Sequence, residues 1–199
     1  AGRDNQGEGS IAIGNAAGLD YQGTNCIAIG RNAGRLNDQG NEAVAIGNSA
    51  GYDNQKERNI AIGSYAQSNT QIGSQSIAIG YKAGQTSQGG ECVAIGFDAG
   101  NLNQGNSSVA IGYEAGKNNQ KFLCTAIGTF SGKSNQNEYG VALGVYAGQT
   151  DQGVFCTAVG PAAGQNQQGI HSVAIGHNAG HLALGDWSVA IGPAAGFLN

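Results

Sequence analysis

The residue types that could carry chemistry are few in this chain, and their spacing argues against a catalytic or metal centre. The cysteines lie far apart, without the close C-x₂-C pair that a zinc site uses; they are Cys26, Cys92, Cys124 and Cys156. The histidines are His171, His177 and His181. Spacing of i,i+4 would bring the last two together only on a helix, and none is indicated there. No acid pair, Ser-His-Asp set or phosphate loop stands out. We therefore expect no enzyme, no metal site and no cofactor.

Composition narrows the possible partners. The chain has 199 residues, of which 36 are glycine, 11% are charged and none is methionine, and its net charge is −4. A negative net charge favours neither nucleic acid nor an anionic membrane. No apolar run approaches the ~18 residues that a membrane span requires. We expect no nucleic-acid partner and no membrane contact in this segment.

The elements that position these residues are set by a short repeat. Its most regular mark is the glycine that closes each "AIG" or equivalent, the closing glycine; these are Gly14, Gly30, Gly47, Gly63, Gly80, Gly96, Gly112, Gly128, Gly144, Gly160, Gly176 and Gly192. The spacing is sixteen, except for two spacings of seventeen whose extra residues fall near Leu36–Asp38 and Ser68–Gln71. A fixed short period over the whole chain predicts a solenoid. Because sixteen residues are too few for a helical repeat, the fold class is all-β: a parallel β-solenoid of about 12 coils with two short strands per coil.

Each repeat column then has an expected place. The first strand is "VAIG" with one small residue before it; this small column is Ser10, Cys26, Ala43, Ser76, Cys92, Ser108, Cys124, Gly140, Cys156, Ser172 and Ser188, with Asn59 as the exception. The second strand is predicted to be centred on "xxAG", for example around Ala17 and Ala33. Glutamines of the "QG" pairs, such as Gln104, are predicted at a corner, stacked in a ladder of amides ~4.8 Å apart.

Strand alternation separates a small face from a bulky face. Ala and Ser/Cys share one face of "VAIG", and Val/Ile share the other. A narrow coil favours the small face inside, so the bulky residues form an outward stripe roughly 55–60 Å tall that another copy of the chain would cover. The predicted oligomer interface is Ile27, Ile29, Val93, Ile95, Val109, Ile111, Val173, Ile175, Val189 and Ile191. The alternative is the inverted packing, with Val/Ile inside and Ala/Ser facing water.

Aromatic residues follow the closing glycine on three successive coils. Tyr81, Phe97 and Tyr113 would form an exposed strip able to hold a sugar ring or a partner surface, or they would cover a subunit seam or each other. A second apolar group before the strand is more consistent with packing; it comprises Phe122, Leu123, Phe155, Ile170 and Trp187.

The repeated sequence motifs resemble those of a known family. "SVAIGxxA" at Ser108–Ala115, Ser172–Ala179 and Ser188–Ala195 is similar to the head repeat of YadA-like trimeric autotransporter adhesins. "TAIGxxA"-type repeats, matched at Thr125–Ser131 imperfectly and at Thr157–Ala163 well, resemble those in phage and viral fibres and in chaperone-bearing bacterial surface proteins. The resemblance covers residues 10–199. It implies a left-handed parallel β-roll, a homotrimer and a role in attachment.

The expected function is therefore structural. We expect residues 1–199 to be one β-solenoid domain, a segment of a longer fibre protein or a subunit that stacks end to end. It would act without enzymatic activity on a cell or virion surface, as an attachment fibre or stable filament whose receptor or glycan the sequence does not name. The alternative is a flat-faced β-solenoid that binds a regular surface such as ice.

Overall fold

The computed structural model describes residues 1–36, 39–69 and 72–197. These residues form strands and turns and no helix, so they contain no helix that could cross a membrane. The strands, in chain order, are β1 (Ile11–Ile13), β2 (Ile27–Ile29), β3 (Val44–Ile46), β4 (Ile60–Ile62), β5 (Ile77–Ile79), β6 (Thr86–Gln88), β7 (Val93–Ile95), β8 (Leu102–Gln104), β9 (Val109–Ile111), β10 (Asn118–Gln120), β11 (Thr125–Ile127), β12 (Ser134–Gln136), β13 (Val141–Leu143), β14 (Thr150–Gln152), β15 (Thr157–Val159), β16 (Asn166–Gln168), β17 (Val173–Ile175) and β18 (Val189–Ile191).

The main sheet confirms the predicted solenoid. Twelve parallel strands, one per coil, pair in the order β1-β2-β3-β4-β5-β7-β9-β11-β13-β15-β17-β18. Equivalent residues face each other, as in the pairing of Ala110 with Ala126. Register also holds across both longer spacings, where Ile27 pairs with Val44 and Ile60 pairs with Ile77. The extra residues therefore lie outside the strands, as expected, although residues 37, 38, 70 and 71 fall outside the described residues.

The interior is lined by small side chains, as predicted. The strand alanines from Ala28 to Ala174 are fully buried, and so are the small-column residues from Cys26 to Ser172. The alanines of "xxAG", such as Ala115, complete the same core. Because these side chains are small, the two walls of the coil can approach closely, and a methyl-lined interior results.

The second strand does not lie where it was predicted. The "xxAG" residues form a turn, and the second strand is the three residues that end on the glutamine, as in Asn118–Gln120. Two left-handed residues explain the error: Glu114 has φ 52° and Gly116 has φ 53° on either side of Ala115. Two such residues separated by only one position bend the backbone into a turn while still directing the alanine inward. The smaller sheet has six strands in the order β16-β14-β12-β10-β8-β6.

Glutamines fill the part of the interior that alanine leaves open. They are the largest fully buried side chains, not corner residues as predicted. The predicted amide ladder is confirmed: Gln120 Nε2 donates to Gln136 Oε1 at 3.0 Å, and Gln136 Nε2 donates to Gln152 Oε1 at 3.0 Å. Gln120 Nε2 also donates to the Val109 carbonyl of its own coil at 3.0 Å, which links the smaller sheet to the main sheet.

Two glycines per coil are required by close approach. Gly112 has φ 131°, and a Cβ there would lie 2.6 Å from the Gly128 carbonyl oxygen of the next coil. Gly116 has φ 53°, and a Cβ there would lie 2.8 Å from Gln120 Oε1. The closing glycine thus permits coil stacking, whereas the glycine of "AG" makes room for the buried amide.

In one coil the buried glutamine comes from a different position in the repeat. Gln67 replaces the glycine of "AG" with φ 45°, and its buried amide donates to Gln88 Oε1 at 2.7 Å. In the same coil Ile72 is buried, with 3% of its surface exposed. The amide of this coil comes from the position that glycine occupies elsewhere, and its hydrogen bond to Gln88 continues the ladder. The ladder therefore persists through a coil that is one residue longer.

Candidate contact surfaces

The outer face of the main sheet carries the Val/Ile stripe, formed by the first and third residues of each main-sheet strand. All ten predicted interface residues lie on it: Ile27, Ile29, Val93, Ile95, Val109, Ile111, Val173, Ile175, Val189 and Ile191. They are half-buried by their stacked neighbours or exposed, while the intervening alanines are buried. This confirms the predicted orientation and excludes the inverted packing. Exposure reaches 67% at Val189.

The aromatic strip of Tyr81, Phe97 and Tyr113 is a stack. Adjacent ring centroids are 5.2 and 5.1 Å apart, with interplanar angles of 19° and 9°. Tyr65 and Phe130 extend the strip through edge-to-face contacts with its two ends. Since stacking uses the ring faces, the strip presents mainly ring edges outward. A sugar ring packs against an aromatic face, so this geometry favours contact with a partner surface over sugar stacking.

A second aromatic file precedes the main strand. Tyr139, Phe155, His171 and Trp187 stack on successive coils with centroid separations of 4.5, 5.0 and 4.1 Å. The packing predicted for Phe155 and Trp187 is observed, but Tyr139 and His171 were missed. Reading the column directly before the small column would have found all four. Trp187, at one end of the file, is 73% exposed.

The smaller sheet presents a polar outer face. Asn103, Asn119 and Asn135 each donate to the side chain one coil further on, ending at Asp151, over distances of 3.0, 3.2 and 2.8 Å. These residues have φ between 53° and 58°, a conformation that asparagine tolerates well. The adjacent column carries different side chains, among them Thr86, Leu102, Asn118 and Ser134, so the face lacks the uniform ranks that would match a regular surface.

A side groove runs along the solenoid between the second and fifth residues after each closing glycine. Across three coils it is filled by an ion-pair network. Lys117 Nζ lies 2.9 Å from Asp98 Oδ2 and 3.1 Å from Glu114 Oε1, and Lys133 Nζ lies 2.8 Å from Glu114 Oε2. Burial alone would raise the pKa of Glu114, but the hydrogen bonds from Lys133 and Lys117 outweigh it and hold that pKa below its usual value.

The cysteines act as small hydrogen-bonding core residues. Cys124 Sγ donates to the Asn137 carbonyl at 2.9 Å, as Ser108 Oγ donates to the Lys121 carbonyl at 2.8 Å. Burial raises the pKa of Cys124 to about 11, which keeps the thiol protonated and unreactive at neutral pH. All four thiols are buried and free. Within the described ranges, no group of His, Cys, Asp and Glu could hold a metal ion.

Comparison with known proteins agrees with this geometry. No curated protein and no solved structure matches the chain. Residues 60–83, which include β4 and β5, match the family model of the YadA head domain repeat in two copies. The resemblance inferred from the motif is thus confirmed over residues 60–83, which are similar to two copies of the YadA head domain repeat.

Proposed function

We propose that this chain is a non-enzymatic segment of an attachment fibre, displayed on a cell or virion surface, in which copies associate through the Val/Ile stripe. The match to an adhesin-type head repeat supports the attachment role. The trimer is the assembly that the resemblance implies, and end-to-end stacking into a filament is compatible with the same coils.

The stripe is the observation that carries the proposal. It is apolar on all twelve main-sheet strands, with two threonines, Thr125 and Thr157, as its most polar members. At strand spacing its area is roughly 600 Å², as large as the greatest apolar patch on a typical monomer. A stable interface needs ~800 Å² per partner, so the stripe alone supplies most of the required surface. Burying it between identical copies removes it from water.

The aromatic strip fits the same proposal as a second contact surface. Its three residues, Tyr81, Phe97 and Tyr113, are 41%, 42% and 45% exposed. Aromatic side chains of this kind are enriched at protein interfaces. We assign the strip to contact with the attachment target, while the Val/Ile stripe serves self-association.

Sedimentation at micromolar concentration tests the association. We expect the unmodified chain to sediment as a trimer and Ile111→Asp to shift it toward monomer. An unpaired charge in an apolar seam costs several kcal/mol, and symmetry repeats it in every copy. The matched control is Tyr113→Asp, which places the same charge two residues away on the aromatic strip and should keep the trimer mass.

Two results would contradict the proposal. One is a monomeric unmodified chain, and the other is an Ile111→Asp chain that retains both its mass and its melting temperature.

A further inference from the structure

The side groove is open in one segment that lacks the ion-pair network. Around the third and fourth coils it forms a pocket of about 360 Å³, lined by Asn32, Ser49, Tyr52, Tyr65, Ser68, Asn69 and Gln85. These are again the second and fifth residues after successive closing glycines, with Asn69 beside them. We propose that this open segment of the side groove is a binding site for a neutral sugar ring.

The filled segment of the same groove shows what is different here. Glu114 and Lys133, separated by nineteen positions, bridge neighbouring coils at 2.8 Å. The equivalent positions in the open segment, also nineteen apart, are Ser49 and Ser68. Two short hydroxyl side chains replace two long charged ones, so the space that the ion pair occupies further along the chain is left as a pocket.

The chemistry of the lining selects the ligand class. None of the seven lining residues is charged, and the neighbouring Arg35 guanidinium is directed at the ring and hydroxyl of Tyr52. The lining itself therefore offers no counter-charge to an anion or a cation. Two tyrosines supply apolar ring surface, and hydroxyl and amide groups supply both donors and acceptors. A sugar ring has that combination, with an apolar C–H face and hydroxyls around its rim. The volume lies in the ~300–1,000 Å³ range of small-ligand sites.

Several lining side chains are already held in place. Arg35 lies over the Tyr52 ring, 5.8 Å from its centroid, and its Nη1 donates to Tyr52 Oη at 3.4 Å. Gln85 Nε2 donates to Ser68 Oγ at 3.2 Å, and Asn69 Nδ2 donates to Thr86 Oγ1 at 2.9 Å. Pre-positioning of this kind lowers the entropic cost of binding.

Tyr65 differs from the aromatic strip in a way that matters for sugars. It meets Tyr81 edge-to-face at an interplanar angle of 86°, whereas Tyr81 and Phe97 stack nearly parallel. Its ring faces are therefore not both consumed by stacked neighbours. Since Tyr65 also lines the pocket, it can offer a face to a ligand.

This site names a ligand class for the proposed attachment role and rests on that role only for its biological use. Sugar binding is measured separately from self-association. If sugars fail to bind, the sedimentation result still decides the fibre proposal, and a monomeric chain would leave the pocket open to direct test.

Ligand-observed saturation-transfer NMR provides the experiment. The probes are methyl β-D-galactopyranoside, methyl α-D-mannopyranoside, methyl β-D-glucopyranoside and N-acetyl-D-glucosamine, each at millimolar concentration. Sorbitol serves as an acyclic neutral control. We expect transfer to at least one of the rings and none to sorbitol. No transfer to any ring, or equal transfer to sorbitol, overturns the proposal.

The decisive variant copies the chain's own filled groove. Ser49→Glu with Ser68→Lys installs the Glu114–Lys133 arrangement at equivalent positions, and Ser49 has φ 54° where Glu114 has 52°. We expect the sugar signal to disappear while the melting temperature is kept. A signal that persists in this folded variant places binding elsewhere and contradicts the assignment.

A smaller change tests the ring itself. Tyr65→Ala is compatible with the backbone, because Ala16, Ala162 and Ala194 occupy the equivalent column with φ of 53° to 55°. Losing one aromatic contact should weaken binding by about tenfold. Tyr113→Ala, on the aromatic strip and outside the pocket, should leave the signal unchanged; equal loss in both variants would refute a site at Tyr65.

Discussion

The two sheets of this solenoid differ in the side chains on their inner and outer faces. In the main sheet, small apolar side chains point inward and Val/Ile point outward, so the interior contact is made by methyl groups such as those of Ala110 and Ala126. In the smaller sheet, buried glutamines point inward and asparagines point outward, so both faces carry amide ladders. The main sheet is thus apolar on both faces, and the smaller sheet is polar on both faces.

The difference teaches where each sheet can accept a partner. The outer hydrogen bonds of the smaller sheet, such as that from Asn119 to Asn135, already satisfy much of its surface. The Val/Ile stripe has no such internal partners, and burying it in an interface would gain apolar contact at roughly 25 cal/mol per Å². Self-association is therefore expected through the main sheet, while the smaller sheet stays in water.

The contrast between the sheets requires that each coil of sixteen residues contribute one segment to each of them. Deletions test this requirement and have the largest expected effect. Removing the sixteen residues Gly112–Ile127 excises one whole coil and should leave a shorter rod with nearly the same melting temperature. Removing only the eight residues Gly112–Asn119 would join Ile111 to Gln120 and pair the main strand with the smaller sheet. Loss of cooperative unfolding, followed by circular dichroism, is expected only for the second. Equal tolerance of both deletions would refute one coil per sixteen residues.

Substitution of a buried glutamine sharpens the contrast between the two interiors. Gln120→Ala should lower the free energy of unfolding by about 3 kcal/mol, because it leaves a cavity and removes the N–H donor from which the Val109 carbonyl and Gln136 Oε1 accept. Gln120→Leu keeps most of the volume and should cost about 1–2 kcal/mol. The ladder already contains one such side chain, the buried Leu184.

The outer amide ladder is the matched control for that experiment. Asn119→Gly removes the exposed side-chain hydrogen bonds but accepts the φ of 55°, so its effect on denaturant unfolding should stay within about 0.5 kcal/mol. If Asn119→Gly costs as much as Gln120→Leu, the buried ladder has no special role.

The ion-pair network on the groove between the sheets gives the smallest predicted effect. The pKa of Glu114 is lower in the folded chain than in the unfolded one. Its stabilisation is therefore complete above the unfolded pKa of about 4.3 and is lost as the pH falls through the folded pKa. Glu114→Gln should remove this part of the acid sensitivity, worth at most about 1 kcal/mol, in melts at pH 3 to 6. The control Glu8→Gln, at an exposed site, should retain it.

The length of a coil and the inward-facing side of the main strand were predictable from sequence, because each depends on one repeat position that hardly varies between coils. The unbroken alanine column fixed the inside of the main sheet, and the closing glycines fixed the coil length. The second strand was misplaced because its position depends on left-handed residues such as Glu114 and Asn119, whose φ values the residue types do not reveal. Burial of glutamine was missed because a polar side chain is normally expected outside; only the carbonyl of Val109 and the next amide make its interior position favourable.

The pocket and the ion-pair network could not be predicted from the repeat alone. Both depend on contacts between the second residue of one coil and the fifth residue of the next, as in Glu114 and Lys133. These positions vary from coil to coil and share no pattern with the strands. A comparison at nineteen-residue separation would have paired Ser49 with Ser68 in the same way.

The backbone hydrogen bonds of this molecule have a mechanical consequence. They run from coil to coil, as from Gly112 to Ile95 and from Val109 to Cys124, and so lie along the long axis. Tension applied along that axis loads all the bonds of one coil boundary at the same time, and the boundary yields only when they break together. A pull on one chain end alone instead breaks the bonds of the terminal coil in succession, at a lower force. The solenoid is thus built to resist stretching along its length far better than unwinding from an end.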